Sequence, residues 1–513
     1  MLVFETILGL LLGATLLSLA ARRLNIPYPT LLAVGGALIA FLPGVPRFGL
    51  APDLILALFV APVLLDAAYD TSLRDLRDNW HPVLSLVLVA VGLTTLAVAF
   101  AARQLLPDLP WAAGVALGAL LAPPDAVAAL AVLRQVNPPH RIRKVLEGES
   151  LLNDASALLI YTLAVGAVTA GGFSVAGALP TFALVVVGSV AVGWLLSWPT
   201  GWLVAAIEDA PTSVVVQFVL TFGLWIAAER LGLSPVVTTV VFGVTAGRRG
   251  NLAARLRVST FATWEAVTFV LNVLAFTLIG LQLRPIVDAL NGPQLAQLLR
   301  AALVILAVVI VVRLLWVMTY SLTARPTARP ARRGQAVAAP LTLRGGLVIG
   351  WAGMRGIVTL AAAAALPADF PHRDFMQLTA FVVVLGTLVV QGLTLRPLLA
   401  FLRLPPDTVI EMEVRLARKM ALKAAMRTLD GDDSAAAQRL QLEYREQLSR
   451  AWIGEDPHDS PDNALRRQTV GAARQAIHEL RRSGKIGDDA YHLVQEELDW
   501  LELSTTAATA PEV

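Results

Sequence analysis

The chain contains no cysteine, which excludes disulfides, thiol catalysis and thiolate metal sites. Carboxylates, hydroxyls, amides and carbonyls remain as ligands, and these suit hard cations. Charge is scarce too. Of 513 residues 15% are charged and 56% hydrophobic, a balance too apolar for a soluble chain of this length and one that reads as an integral membrane protein. The net charge of +3 implies no nucleic-acid partner. No GxxxxGK[ST] loop is present, which argues against ATP-driven transport. Ser150 and Ser156 lack a G-x-S-x-G setting or a buried histidine partner, so an intramembrane serine hydrolase is poorly supported. His81, His140 and His372 lie at the ends of apolar runs without metal-ligand spacing, and no cofactor is expected.

What the chain has in abundance is apolar runs of about twenty residues, the length needed to cross a bilayer. They fall near 2–20, 29–46, 52–69, 82–102, 111–135, 146–171, 176–206, 213–229, 233–247, 262–283, 298–322, 340–366 and 376–401. The first is about twenty residues long and begins with an acidic residue instead of a basic region, so it reads as a retained span and not a cleaved signal peptide. The reading is therefore an all-α polytopic membrane protein of about thirteen spans. Loop charge tests the count, since cytoplasmic loops concentrate Lys and Arg. The odd-numbered loops hold 16: Arg22 and Arg23; Arg74 and Arg77; Arg134, Arg141, Arg143 and Lys144; Arg248, Arg249, Arg255 and Arg257; Arg325, Arg329, Arg332 and Arg333. The even-numbered loops hold six: Arg47, Arg103, Arg230, Arg284, Arg300 and Arg373. That asymmetry puts the N-terminus outside and the C-terminus in the cytoplasm. Past Leu404 the composition turns polar and acidic, with 14 Lys+Arg and 20 Asp+Glu over 404–513. This segment reads as a cytoplasmic tail of amphipathic helices, broken near EDPHDSPDN, with a regulatory, packing or oligomer-contact role, or as an appendage without activity of its own.

A charge at bilayer depth costs about 3 kcal/mol on insertion scales and needs a partner or a wet cavity. Asp125, Glu149, Asp154, Glu265, Arg313 and Arg355 stand at such depth. Asp125 follows Pro123-Pro124, and consecutive prolines remove donors and break a helix. The freed carbonyls are good cation ligands where protein or water surrounds them. A kinked helix with Asp125 capping its second half is the plainer alternative. In GESLLNDASALLI, at about 100° per residue, Glu149 and Asn153 form one stripe and Ser150 and Asp154 an adjacent one. One stripe can face a structural partner while the other faces an ion, and polar helix packing is the plainer alternative. Arg313 is too deep to reach water and needs a buried carboxylate, for which Glu149 is the best candidate because its stripe leaves Asp154 free. Arg355 sits among Gly345, Gly346, Gly350, Gly353 and Gly356, where a span can unwind into two half-helices whose dipoles need compensation; an arginine in a small-residue packing groove is the alternative. The two interrupted spans are seven apart. An odd offset reverses direction through the membrane, as an inverted repeat requires, and paired interrupted helices point to a transport site near the midplane. Glu265 and Asn272 share a helix face and either line the pathway or make an interhelical contact.

The segments GESLLNDASALLIYTLA, APPDAVAAL, FVAPVLLDAAYDTSLRDLRDNW, NVLAFTLIGLQL and GWAGMRGIVTLAAAAALP together resemble the monovalent cation/proton antiporters of the NhaP/NHE sodium/proton exchanger family, in order, over nearly all of residues 1–403. That resemblance implies a homodimer of thirteen-span subunits in which two broken helices cross. Core helices would span about 82–171 and 298–401, with dimerisation helices at about 1–69 and 176–283 and the separate tail at 404–513. It assigns Asp154 as the carboxylate that binds cation or proton, with Ser150 in support and Asp125 as the acid of the first broken helix. Glu149 and Asn153 match the groups paired with an arginine, here Arg313, and Arg355 matches the arginine of the second broken helix. Where the family's motif reads Thr-Asp, this chain has Pro124-Asp125, which removes a hydroxyl and a backbone donor beside the cation site.

The expected activity is electroneutral exchange of Na⁺ or Li⁺ for H⁺, by competition at Asp154, in a plasma (inner) membrane. K⁺/H⁺ exchange is the alternative within transport. A cation-gated channel would conduct without coupling, and a membrane sensor would depend on the tail. The expected partners are monovalent cations, protons, lipid and a second copy of the chain.

Overall fold

Hydrocarbon offers no hydrogen bonds to a backbone, so an apolar chain that crosses a bilayer satisfies its amides and carbonyls within helices or a closed barrel. The computed structural model describes residues 2–43, 51–133, 138–169, 175–248, 254–290, 292–323, 342–404, 409–453, 461–483 and 485–505. All regular elements among them are helices. Arg47, Arg134, Arg249, Arg325, Arg329, Arg332 and Arg333, used above to orient the chain, lie outside the described residues. The chain divides into two compact units, Met1–Pro405 and Pro406–Val513.

In the first unit α1 (Leu2–Leu24) and α2 (Tyr28–Ile39) are followed by α3 (Pro52–Tyr69), a short α4 (Leu73–Asp78) and α5 (Trp80–Leu105). Each of α3 and α5 contains a π-helical turn, at Leu56–Val60 and Ser85–Ala90. Next come α6 (Trp111–Leu121), α7 (Ala126–Leu133), α8 (His140–Thr169), α9 (Val175–Ala205), α10 (Ala210–Arg230), α11 (Pro235–Gly247) and α12 (Ala254–Leu281). After a short α13 (Leu283–Asp288) come α14 (Gly292–Thr323), α15 (Leu343–Trp351), α16 (Ile357–Ala364) and α17 (Arg373–Leu402). Local signals set several boundaries. Asp209 caps α10 by accepting from Thr212 N at 3.1 Å, and the chain leaves that helix through Gly232 in the left-handed region. Thr342 caps α15 by accepting from Gly345 N at 3.1 Å.

Each of the thirteen apolar runs overlaps a helix, but they are not thirteen uniform rods. Among the described residues eight helical stretches are long and apolar enough to cross a membrane, and α2, α6 and α11 are shorter apolar helices. Two of the runs, 111–135 and 340–366, are shortened because each is split in two.

Two groups of helices pack side by side. One consists of α5, α6, α8, α14, α15 and α17; the other joins α2 to α12, and α11 to α3, α9 and α10. Close approach in the second group depends on glycine. A Cβ on Gly36 would collide with the Thr277 carbonyl, and one on Gly280 with the Ala33 carbonyl and the Ala37 amide. Small residues at such a crossing let the backbones touch, the usual source of helix association in lipid. The second unit contains α18 (Val409–Arg427), which packs on α19 (Ala435–Ile453), and α20 (Pro461–Arg482), which packs on α21 (Asp488–Thr505). Arg474 bridges Asp499 at 2.5 Å and Glu502 at 2.6 Å across the second pair.

Gly280→Ala should destabilise the protein by about 1–3 kcal/mol through overpacking. Gly223→Ala, on α10 in open space, should be neutral or stabilising by up to about 1 kcal/mol. Thermal unfolding in detergent checks both, and equal behaviour would reject the close-approach argument.

Candidate functional site

The first break follows from Pro123 and Pro124. Neither carries an N–H to continue the ladder, so α6 stops at Leu121 and α7 starts at Ala126. Asp125 stands between the halves. Its Oδ1 accepts from Val127 N at 2.8 Å, which caps α7, and its own N–H donates to the Met354 carbonyl at 2.6 Å. Met354 belongs to the second break, where α15 ends at Trp351 and α16 begins at Ile357. The two interruptions therefore meet backbone to backbone. Gly356 permits the approach, since a Cβ there would run into the Asp125 carboxylate.

Arg355 is fully buried at this meeting point. Its Nε donates to the Leu121 carbonyl at 3.0 Å, Nη2 to Ala122 O at 3.4 Å, and Nη1 to Gly353 O. Leu121 and Ala122 end α6, where the helix leaves unpaired carbonyls and partial negative charge. The arginine of one broken helix thus occupies the open end of the other. Its backbone N–H donates to Thr387 Oγ1 on α17 at 3.1 Å.

On α8 the two stripes differ in burial. Glu149 and Asn153 are fully buried, while Ser150 and Asp154 are half-buried. Arg313 of α14 donates to both Glu149 oxygens, at 2.5 and 2.8 Å, and from Nη2 to the Ile349 carbonyl of α15 at 3.1 Å. Asn153 departs from the expected link to Arg313. Its Nδ2 donates instead to the Pro124 carbonyl at 3.2 Å, because the proline break leaves that carbonyl without a helical donor. The buried stripe therefore ties α8 to both broken helices. Asp154 makes no hydrogen bond or ion pair among the described residues, and it lies within electrostatic reach of Asp125. Glu265 is exposed and Asn272 half-buried; among the described residues neither side chain hydrogen-bonds to another helix.

Several contributors were not assigned from sequence. Ser156 donates to Val87 O, in the π-helical turn of α5, at 3.1 Å, and Tyr161 OH donates to Ala362 O of α16 at 2.7 Å. Ser156 belongs to the polar stretch already singled out, but nothing in the linear pattern signals the π turn that receives it. Thr387 is one threonine in an apolar helix, without a signal of its own.

A family model described as the transmembrane sodium/hydrogen exchanger matches residues 7–401. The chain belongs to the sodium/hydrogen exchanger family. Members are cation/proton antiporters, so this is a transporter and not an enzyme. The exchanger is 28% identical to a sodium, potassium, lithium and rubidium/H⁺ antiporter of Bacillus pumilus over 93% of this chain and 74% of that one. It is 30% identical to an uncharacterised Na⁺/H⁺ exchanger of Mycobacterium tuberculosis over 98% and 94% of the respective chains. Among solved structures it shares the fold of the sodium proton antiporter MjNhaP1 from Methanocaldococcus jannaschii, with a TM-score of 0.61 at 18% identity over 78% of this chain and 99% of that one.

Removing one partner of the buried Glu149–Arg313 pair should cost about 3–5 kcal/mol, because the other charge is stranded. In detergent, Glu149→Gln and Arg313→Met should each lower folded yield and unfolding temperature, and the double variant should recover much of the loss. Additive losses would show that the two do not act as a pair.

Proposed function

We propose that the protein exchanges Na⁺ or Li⁺ for H⁺, one for one, by competition between cation and proton at Asp154. The observation that carries this reading is the state of that carboxyl: half-buried, without a hydrogen bond or ion pair among the described residues, beside two broken helices that touch. The other central charges have work already. Glu149 is matched by Arg313, Arg355 is held by the carbonyls ending α6, and Asp125 caps α7. Asp154 is the acid left to bind a mobile ion, with Ser150 and the oxygens around Pro124 and Asp125 in support. A site filled by one proton or one monovalent cation is neutral and can reorient across the membrane. An empty, charged site is too costly to move through a low-dielectric core, and that difference couples the two fluxes. Exchange at a single carboxyl is electroneutral.

The protein sits in the plasma (inner) membrane with its N-terminus outside and the tail in the cytoplasm. It forms a homodimer through helices within about 1–69 and 176–283, with the helices at about 82–171 and 298–401 as the moving core and the 404–513 tail as a regulator. The outward side chains of Leu184, Trp198 and Trp202 on α9 support an apolar setting for that surface. K⁺ is a second substrate reading, favoured by the Bacillus pumilus relative, whose name includes potassium.

Proteoliposomes with an internal pH dye test the mechanism. Added Na⁺ or Li⁺ should drive proton movement, insensitive to an imposed membrane potential, and a K⁺ arm separates the second reading. Half-saturating Na⁺ should rise as pH falls, at constant maximal rate, as competition for one site demands. Asp154→Asn should abolish the signal; normal cation-driven proton movement in that variant would sink the assignment.

A further inference from the structure

Gln391, midway along α17, is fully buried, and neither its amide nitrogen nor its amide oxygen meets a protein partner among the described residues. A primary amide brings two donors and an accepting oxygen, and buried polar groups of this kind are almost always hydrogen-bonded. Its surroundings identify what it serves. Thr387 Oγ1 accepts from the Arg355 backbone N–H at 3.1 Å, and Thr394 Oγ1 accepts from Trp351 Nε1 at 2.8 Å. At about 100° per residue, Gln391 lies within about 60° of both threonines around the helix. It therefore faces the stretch between Trp351 and Arg355, the unwound backbone of the second break.

That backbone carries unmet demand of its own. Ala352 N donates to Val348 O, and Met354 O accepts from Asp125 N, but the N–H groups of Gly353 and Met354 form no hydrogen bond among the described residues. The helix and the break are in near contact here, since a Cβ on Gly392 would lie 3.5 Å from Met354 Sδ. We propose that Gln391 holds a buried water between α17 and the second break, and that this water fixes the unwound backbone carrying Arg355. Water both donates and accepts, and a buried one is held by two to four polar partners. The amide and the backbone N–H groups supply that set. A cation is disfavoured beside this backbone, because a Cβ on Gly353 would sit 2.5 Å from Arg313 Nε and 3.2 Å from Arg355 Nη1, so two guanidiniums border it. Gln391 is thus a positioning residue, acting on the ion pathway through Met354 and Arg355. The water site stands independently of the transport reading; its consequence for ion affinity rests on it.

X-ray radiolytic footprinting of the full chain in detergent, read by mass spectrometry, tests the site directly, because hydroxyl radicals arise from trapped water. Met354 is 1% exposed, with Met376 (0%) as a buried comparator on the same α17 and Met420 (58%) as an exposed one. The expected result is oxidation of Met354 at a rate approaching that of Met420, falling several-fold in Gln391→Leu. Protection of Met354 to the level of Met376 in the unmutated protein would overturn the proposal without reference to any variant, and so would unchanged labelling in Gln391→Leu. In proteoliposomes, Gln391→Leu should raise half-saturating Na⁺ several-fold while keeping the maximal rate. An unchanged half-saturating concentration, with thermal stability at or above that of the unmutated protein, would mean that the amide positions nothing.

Discussion

A helix that stops inside an apolar bundle exposes carbonyls at one end and amides at the other, and hydrocarbon can satisfy neither. Two such stops occur among the described residues of this exchanger, and the fully buried charges, Glu149, Arg313 and Arg355, all serve them. Arg355 fills the carbonyl end of α6, Asp125 caps the amide end of α7, and the two breaks share the hydrogen bond from Asp125 N to Met354 O. Asn153 takes the Pro124 carbonyl, Arg313 takes Ile349 O, and Thr387 takes Arg355 N. The interruptions are tolerable because the side chains that reach them come from helices packed on every side.

This arrangement explains why so few charges suffice. Each buried guanidinium serves two purposes at once, neutralising a negative end and donating to a specific carbonyl. Arg313 does so for Glu149 and Ile349; Arg355 does so for the end of α6. Glu149 and Asp154 sit five residues apart on one helix, yet the angle between their stripes puts the first in a dry, paired setting and leaves the second half-buried. Similar chemistry at the two carboxyls thus divides, through helical geometry, into a paired group and one without a hydrogen bond or ion pair among the described residues.

Much of this was legible in the sequence because the relevant rules are local. Consecutive prolines and clustered glycines mark the breaks wherever they occur, and the 100° period separates the stripes of GESLLNDASALLI without tertiary information. A deeply placed arginine demands a carboxylate, which narrowed the partners of Arg313 to Glu149. What remained hidden depends on register between distant segments. The stripe pattern pairs Asn153 with Arg313, yet its amide donates to Pro124, because which freed carbonyl lies nearest is set by how α8 crosses α6. The π turn at Ser85–Ala90 and the facing of Thr387 and Gln391 leave no periodic trace. Glu265 stood out only by its depth in a run, and its exposure shows that depth along a helix does not fix which face a side chain occupies.

The Pro124-Asp125 pair does more than omit a hydroxyl at the first break. Proline at 124 cannot donate, so no backbone N–H there competes for an oxygen, and its carbonyl faces Asn153 on the helix that carries Asp154. Asp125 in turn spends its N–H on Met354 and one carboxylate oxygen on Val127. With those amides committed, the first break presents oxygens: the Pro124 carbonyl toward α8 and the Asp125 carboxylate beside Gly356. Carbonyl and carboxylate oxygens suit a hard, weakly polarisable cation. A carboxylate equally suits a proton, and that double fitness is what the proposed competition at one site requires.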